Sequence, residues 1–302
     1  MLLEEDLPDE IPEVFKKLIW HVIPDETPRE YFFDWLHKSL VDRAYTFLVL
    51  CGDKGIGKGL IQQMIFALHG KENAVDGKQS TLSTQFNSQL EDCRLIWFDE
   101  AKIAKTDANN LKRILNDYVA IERKGVDTRQ VRVYFSAVIS NNDVSDNYME
   151  HDDRRFAPLE LTHKPWIKHT ERKWFGEFDK ALSPNSKELA QFGKWLLAHG
   201  RKESIKPQEP YLGAKFKEIV EASLARWQEA VIKVLRDEDL LDKLMESGTK
   251  DYFLYRDMKK IVGLVASRDK SEQMMRFPKS AKFTDFIRNH RDPDTGLPVA
   301  LS

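Results

Sequence analysis

The sequence predicts an α/β fold: a mostly parallel sheet carrying a phosphate-binding loop, with a helical head before it and a mainly helical tail after it. Three observations lead there. The apolar run Tyr45-Thr46-Phe47-Leu48-Val49-Leu50-Cys51 passes through Gly52-Asp53-Lys54-Gly55-Ile56-Gly57-Lys58-Gly59 into the amphipathic stretch Leu60 to Leu68, which reads as strand, glycine loop and helix. Short apolar runs then alternate with amphipathic segments as far as Leu161. After about Thr162 the pattern changes to long helical periodicity.

In the head, Ile11, Val14, Phe15, Leu18 and Ile19 recur at helical spacing, and Thr27-Pro28-Arg29-Glu30 resembles a helix start with proline at the first position. Two helices are expected between about Ile11 and Val41. In the core, Arg94-Leu95-Ile96-Trp97-Phe98 reads as a buried strand, Ala108 to Asn116 as a helix, Val119 to Val133 as a hairpin and Val133 to Ile139 as a further strand. Strands alternating with helices place ligands at the carboxyl ends of a parallel sheet. In the tail, Leu189, Phe192, Trp195 and Leu196 form one apolar helical face, and residues 200–210 read as a linker. A long helix is expected over Ala214 to Arg236, with Ile219, Leu224, Trp227, Val231 and Leu235 inward, then amphipathic pieces near Phe253 to Val265 and Ala281 to Asn289. The expected divisions are a head over 1–43, a core over 44–165 and a tail over 166–302.

Composition narrows the function classes. With a formal charge of −2 and charged residues at 32%, the surface is mixed in sign, so a nucleic-acid contact has to be local. Cys51 and Cys93 each lie beside an apolar run and read as buried, reduced thiols, which suits a cytoplasmic protein. Glu4, Glu5, Asp6, Asp9 and Glu10 stand where a secretory signal needs positive charge, and no apolar run approaches the roughly 20 residues of a membrane span. A soluble protein without a membrane partner is expected.

The candidate chemistry begins at the glycine loop. Its backbone N–H groups curl around phosphates, the helix that follows offers its positive end, and Lys58 adds a mobile charge. Gly59 departs from the pattern, because a serine or threonine hydroxyl normally reaches Mg²⁺ from that position. The strand over Leu95 to Phe98 ends in Asp99-Glu100, where Asp99 suits Mg²⁺ and Glu100 a general base for water. Ser140-Asn141-Asn142 closes a later strand; an amide at such a tip can touch both a γ-phosphate and the attacking water, and Asn141, the first polar amide, is favoured over Asn142. Asp153-Arg154-Arg155-Phe156 offers guanidinium groups that can spread over developing phosphoryl charge. Between the acid pair and the amides, the hairpin carries Arg123, Lys124, Arg129 and Arg132 against Glu122 and Asp127, a local excess that suits a nucleic-acid backbone or a plainly solvated hairpin.

Taken in order, these motifs resemble those of the superfamily 3 helicases of DNA viruses, phages and plasmids, and most closely the helicase region of phage primase-helicase and primase-polymerase proteins. The resemblance covers about Tyr45 to Leu161 well and the preceding helices loosely. It implies a P-loop AAA+ core that assembles as a homo-hexamer, binds ATP and Mg²⁺ between subunits and threads single-stranded DNA at a replication fork. By that resemblance, Gly52 to Gly59 bind the nucleotide, with Lys58 on its phosphates, Asp99 and Glu100 handle Mg²⁺ and water, and Asn141 senses the γ-phosphate. Arg154 or Arg155 reaches a neighbouring subunit's site, and Lys124, with Arg123 and Arg129, grips DNA. Translocation from 3′ to 5′, a linked primase or polymerase and a host-cell cytoplasmic location are further implications.

Two other readings compete with a motor. Gly59 favours a nucleotide-dependent ring scaffold or loader that holds a primase or polymerase on DNA with little unwinding. A small-molecule kinase fits less well, since no acceptor-substrate lid is evident in the sequence.

Overall fold

The computed structural model describes residues 10–77, 91–123 except 106, 109–110 and 112–117, then 126–150, 153–166, 172–199, 210–224, 226–236 and the isolated positions 239, 258–259, 283 and 286–287. The chain divides into two compact units, Met1–Ile219 and Val220–Ser302. Every motif singled out above lies in the first.

Helices α1 (Glu13–Val22) and α2 (Glu26–Val41) form the head. Helix α1 buries Phe15, Leu18, Ile19 and Val22, the stripe expected of a helix with one face on a core. Helices α4 (Arg172–Ala181) and α5 (Lys187–His199) pack against this head: Phe15 stacks on Phe192 with ring centroids 5.2 Å apart and meets Phe178 edge-on at 6.2 Å. One apolar cluster thus joins α1, α2, α4 and α5 to the sheet. The head is tied to the sheet by polar bonds as well, since Trp35 Nε1 donates to Thr46 O at 2.9 Å.

The central sheet has five strands in the order β2-β3-β6-β1-β7, from β1 (Phe47–Cys51), β2 (Ala74–Gly77), β3 (Leu95–Asp99), β6 (Ser136–Asn141) and β7 (Phe156–Pro158). Every pairing in it is parallel, so the expectation of a mostly parallel α/β core is met. All residues of β1, β6 and β7 are buried, which explains why β1 reads as an unbroken apolar run without alternation. Helix α3 (Lys58–His69) follows β1 and buries Ile61, Met64 and Ile65. Strands β4 (Tyr118–Arg123) and β5 (Val126–Arg132) form a separate antiparallel hairpin.

Several boundaries differ from expectation. Strands β2 and β7, of four and three residues, fell below what the apolar pattern could signal. The strand expected from Val133 begins at Ser136, because the buried Arg43 guanidinium takes the Val133 and Phe135 carbonyls at 3.2 and 3.0 Å. The single helix expected over Ala214 to Arg236 is two, α6 (Ala214–Ala222) and α7 (Arg226–Arg236). It breaks where the Ser223 and Leu224 N–H groups turn back three residues, to Val220 O and Glu221 O. The linker over 200–209, most of the helix expected at 108–116, and the pieces near 253–265 and 281–289 fall largely outside the described residues. Both cysteines are free and buried, and burial raises their thiols to about 11 for Cys51 and about 12 for Cys93. Among the described residues, no helix is long and apolar enough to cross a membrane.

Candidate active site

Because the five strands are parallel, their carboxyl ends gather at one edge of the sheet. Strand β6 lies between β1 and β3, with Leu50 beside Ser140 and Ser140 beside Asp99. The glycine loop, the amide tip and the acid pair therefore leave three adjacent strands side by side.

The loop is shaped by its glycines. Gly55 and Gly57 have φ of 80° and 112°, in the left-handed region that favours glycine. A Cβ on Gly57 would also stand 3.0 Å from Val22 Cγ2, so the end of α1 forms one wall of the loop. The other wall is the chain leaving β7: Trp166 N–H donates to Gly55 O at 2.8 Å, and His163 Nδ1 lies 3.0 Å from Asp53 Oδ2. Trp166 in turn packs edge-on to His21 of α1 at 4.7 Å.

Lys58 opens α3 and folds back over the loop. Its ammonium donates to Gly52 O, to Asp53 O at 2.8 Å and to Asn142 Oδ1 at 3.0 Å. Burial lowers its pKa, against the pull of the negative charges around it, including Asp53, Asp99 and Glu100. Such an ammonium gains from an incoming polyanion, which would replace neutral carbonyl partners with charged oxygens.

The acid pair is built on β3. Asp99 Oδ1 accepts a hydrogen bond from Ser140 Oγ at 2.5 Å, and Ser140 Oγ accepts one from the buried Trp97 Nε1 at 3.1 Å. A Trp–Ser–Asp chain thus fixes the orientation of the Asp99 carboxylate. Glu100 has φ of 49°, a left-handed backbone at a non-glycine residue that holds roughly 1–3 kcal/mol of strain. That conformation turns Glu100 back toward Asn142, whose amide lies 3.5 Å from Glu100 Oε1.

The two asparagines divide their roles differently from the sequence expectation. Asn141 is 2% exposed and exchanges two hydrogen bonds with Asn147, at 2.6 and 3.0 Å. It also approaches Ala101 O at 3.4 Å, so its amide is consumed in clasping the turn. The amide that touches both Lys58 and Glu100 is Asn142. Ser140, His163 and Trp166, to which the sequence assigned no role, belong to this constellation, and so does Asn142, the alternative to Asn141.

Arg154 and Arg155 stand at the opposite end of the sheet. Phe156 pairs with Phe47 at the start of β1, and Phe47 N–H donates to Arg155 O at 2.7 Å. The glycine loop leaves the far end of β1, about 13 Å on at roughly 3.3 Å per residue. Arg154 is exposed and Arg155 half-exposed. Of the hairpin cations, Arg129 is ion-paired with Glu91, Arg123 lies beside the tip with its side chain outside the described residues, and Lys124 and Gly125 are outside them altogether.

The donor set fits a nucleoside polyphosphate with a divalent cation. The loop supplies a cation, a helix N-terminus and open space, since nothing lies within 4 Å of a Cβ on Gly55 or Gly59. Among the described residues no group of three or more His, Cys, Asp or Glu could hold a metal unaided. Two neighbouring carboxylates suit Mg²⁺, which keeps several waters and shares phosphate oxygens.

A family of unknown function (DUF5906) matches residues 50–155, the stretch that holds the loop, acid pair, hairpin, amides and arginines. The DNA primase-polymerase of Nitratiruptor phage NrS-1 is 23% identical over 275 residues, which are 84% of this chain and 36% of the phage protein. Two apo structures of the NrS-1 C-terminal region superpose with TM-scores of 0.63 and 0.60 at 20% and 21% identity, each match covering 86% of this chain and 64% of that one. This chain therefore shares its fold with that region and spans about a third of the full phage protein. In sequence and fold it is similar to the C-terminal region of a phage primase-polymerase, in line with the primase-polymerase resemblance of its motifs.

Proposed function

We propose that this chain is the ATP-driven motor segment of a phage DNA-replication protein, a P-loop AAA+ unit of superfamily 3 type acting as a hexameric ring on single-stranded DNA. One observation carries the reading. Asn142 hydrogen-bonds Lys58 of the phosphate loop and lies at hydrogen-bond range from Glu100 of the acid pair. A cation for phosphate, a base for water and an amide between them form one constellation.

Mg²⁺ bound there would screen phosphate charge and polarise the transferred group. Lys58 holds the terminal phosphates once its contacts to Gly52 O and Asp53 O are released. Asp99, oriented by Ser140, would hold Mg²⁺, and Glu100 would accept a proton from the attacking water. Asn142 shifts from Lys58 toward the γ-phosphate and reports its presence to Glu100. With Arg154 and Arg155 at the far end of the sheet from their own loop, a guanidinium for this site would come from a neighbouring subunit, which supports a ring.

Gly59 supports a second reading, a nucleotide-dependent ring scaffold for a linked primase or polymerase. The two separate in one experiment on forked DNA. The motor reading expects Mg²⁺-dependent ATP hydrolysis stimulated by single-stranded DNA, strand separation by the wild type, and loss of separation with retained hydrolysis in Lys124→Ala. Nucleotide binding with neither turnover nor unwinding would establish the scaffold and sink the motor.

A further inference from the structure

We propose that the outer face of the β4–β5 hairpin is a base-stacking platform for single-stranded nucleic acid, with Tyr118 and Tyr134 as the stacking rings and Arg132 between them on the phosphate. The inference rests on the nucleic-acid part of the proposed function and names a part of the hairpin other than its cationic tip.

The pleat separates two faces. Val119, Ile121 and Val133 are buried, whereas Tyr118, Ala120, Gln130, Arg132 and Tyr134 are exposed. Tyr118 lies directly across from Arg132, and Ala120 across from Gln130, so these side chains share one side of the ribbon. Tyr118 is 60% exposed and Tyr134 43%, two of the few large apolar side chains that the described residues leave in water. The Arg132 guanidinium lies 5.2 Å from the Tyr134 ring centroid. Aromatic faces interleaved with a cation are what sequence-tolerant binding of single strands needs, because every base has a π-face and every nucleotide a phosphate.

The platform is also held rigid. Tyr134 stands between Val133 and Phe135, whose carbonyls are both anchored by the buried Arg43 guanidinium, and next to it Ala44 N–H donates to Ser136 Oγ at 2.9 Å. Both neighbours being buried, the Tyr134 ring has to project outward. Tyr134 follows Arg132 by two residues, just past the end of β5, and Tyr118 lies across from Arg132, so both tyrosines adjoin the same cation. Ala120 keeps the face beside them low. Arg129, by contrast, is engaged by Glu91, and this separates a stacking face from a cation already neutralised.

The test compares the full chain with Tyr118→Ala, Tyr134→Ala and the double Tyr→Phe variant by fluorescence anisotropy. Two labelled probes of equal length and charge are used, oligothymidylate and a fully abasic oligonucleotide. Each alanine variant is expected to weaken oligothymidylate binding about tenfold, while Tyr→Phe stays within about twofold because the ring is kept. On the abasic strand all variants should match the wild type, and the salt dependence should be unchanged, since no phosphate contact is removed. If the wild type binds oligothymidylate and the alanine variants bind it equally well, the platform is wrong while the nucleic-acid reading stands. If the alanine variants instead alter only the oligomeric state in sedimentation, the face belongs to a second copy and the inference falls. A wild type that binds neither strand overturns the nucleic-acid reading and the platform together.

Discussion

Replacing Asn141 and Asn142 by alanine, one at a time, should separate a structural amide from a chemical one. Asn141 is buried, and its truncation removes two reciprocal hydrogen bonds with Asn147, whose amide nitrogen keeps Asp143 O at 3.1 Å. At about 1–2 kcal/mol for each of the two bonds lost between buried groups, the loss is about 2–4 kcal/mol. In a folding unit the size of Met1–Ile219, that lowers the melting temperature by about 5–15 °C. Asn142 is half-exposed, and Lys58 keeps two carbonyl partners without it, so Asn142→Ala should change stability by about 1 kcal/mol or less. Its effect falls on chemistry: loss of a preorganised donor at a phosphoryl site slows turnover by about a hundredfold. Urea unfolding followed by fluorescence, and steady-state ATP turnover at a temperature where both variants are folded, measure the two effects. An Asn141→Ala protein as stable as wild type but inactive, beside a fully active Asn142→Ala protein, would refute the assignment.

Three further outcomes follow from the same geometry. Gly59→Ser should fold normally, because a Cβ there meets nothing within 4 Å, and should reach half-maximal turnover at lower Mg²⁺; an unchanged Mg²⁺ titration would show that the position does not face the metal. Burial lowers the pKa of His21, His37 and His69 below the ordinary 6.5, so as pH falls through 6.5 the unfolded chain takes up protons that the folded one resists. Stability is therefore full above pH 6.5 and declines below it, and His69→Gln should flatten the fall of the urea midpoint with pH. Mixing Arg155→Ala subunits with Lys58→Ala subunits should restore some ATP turnover if each site is completed by a neighbour, and the same mixture with Arg154→Ala apportions the two guanidinium groups; no recovery in a confirmed mixed ring contradicts the shared site.

The residues that announced themselves in the sequence did so through local rules. Glycines with a positive φ, a lysine at a helix start and an acid pair after an apolar strand are all readable within a few residues. What escaped depended on register between strands distant in sequence. Ser140 lies beside Asp99, so the two point to one side of the sheet, and a side-chain period of two puts Asn142 on that side and Asn141 on the other. The alternation was present in Ser140-Asn141-Asn142, but its phase is set only by the pairing of β6 with β3. Strand β7 was hidden by its length of three residues, and with it the path that brings His163 and Trp166 over the loop. The division between head and tail was obscured for a similar reason. The apolar face of α5 was legible, but nothing in its spacing says that it closes, with α4, on α1 and α2, about 150 residues earlier.

The central claim, that loop, acid pair and Asn142 act as one Mg²⁺-dependent ATP site, is tested most directly by measuring ATP binding and hydrolysis in parallel on wild type, Lys58→Ala and Glu100→Gln. The account predicts binding and turnover for the wild type, loss of both for Lys58→Ala, and tight binding with turnover abolished for Glu100→Gln. A Glu100→Gln protein that hydrolyses ATP at the wild-type rate, or a Lys58→Ala protein that binds it unchanged, would contradict the account.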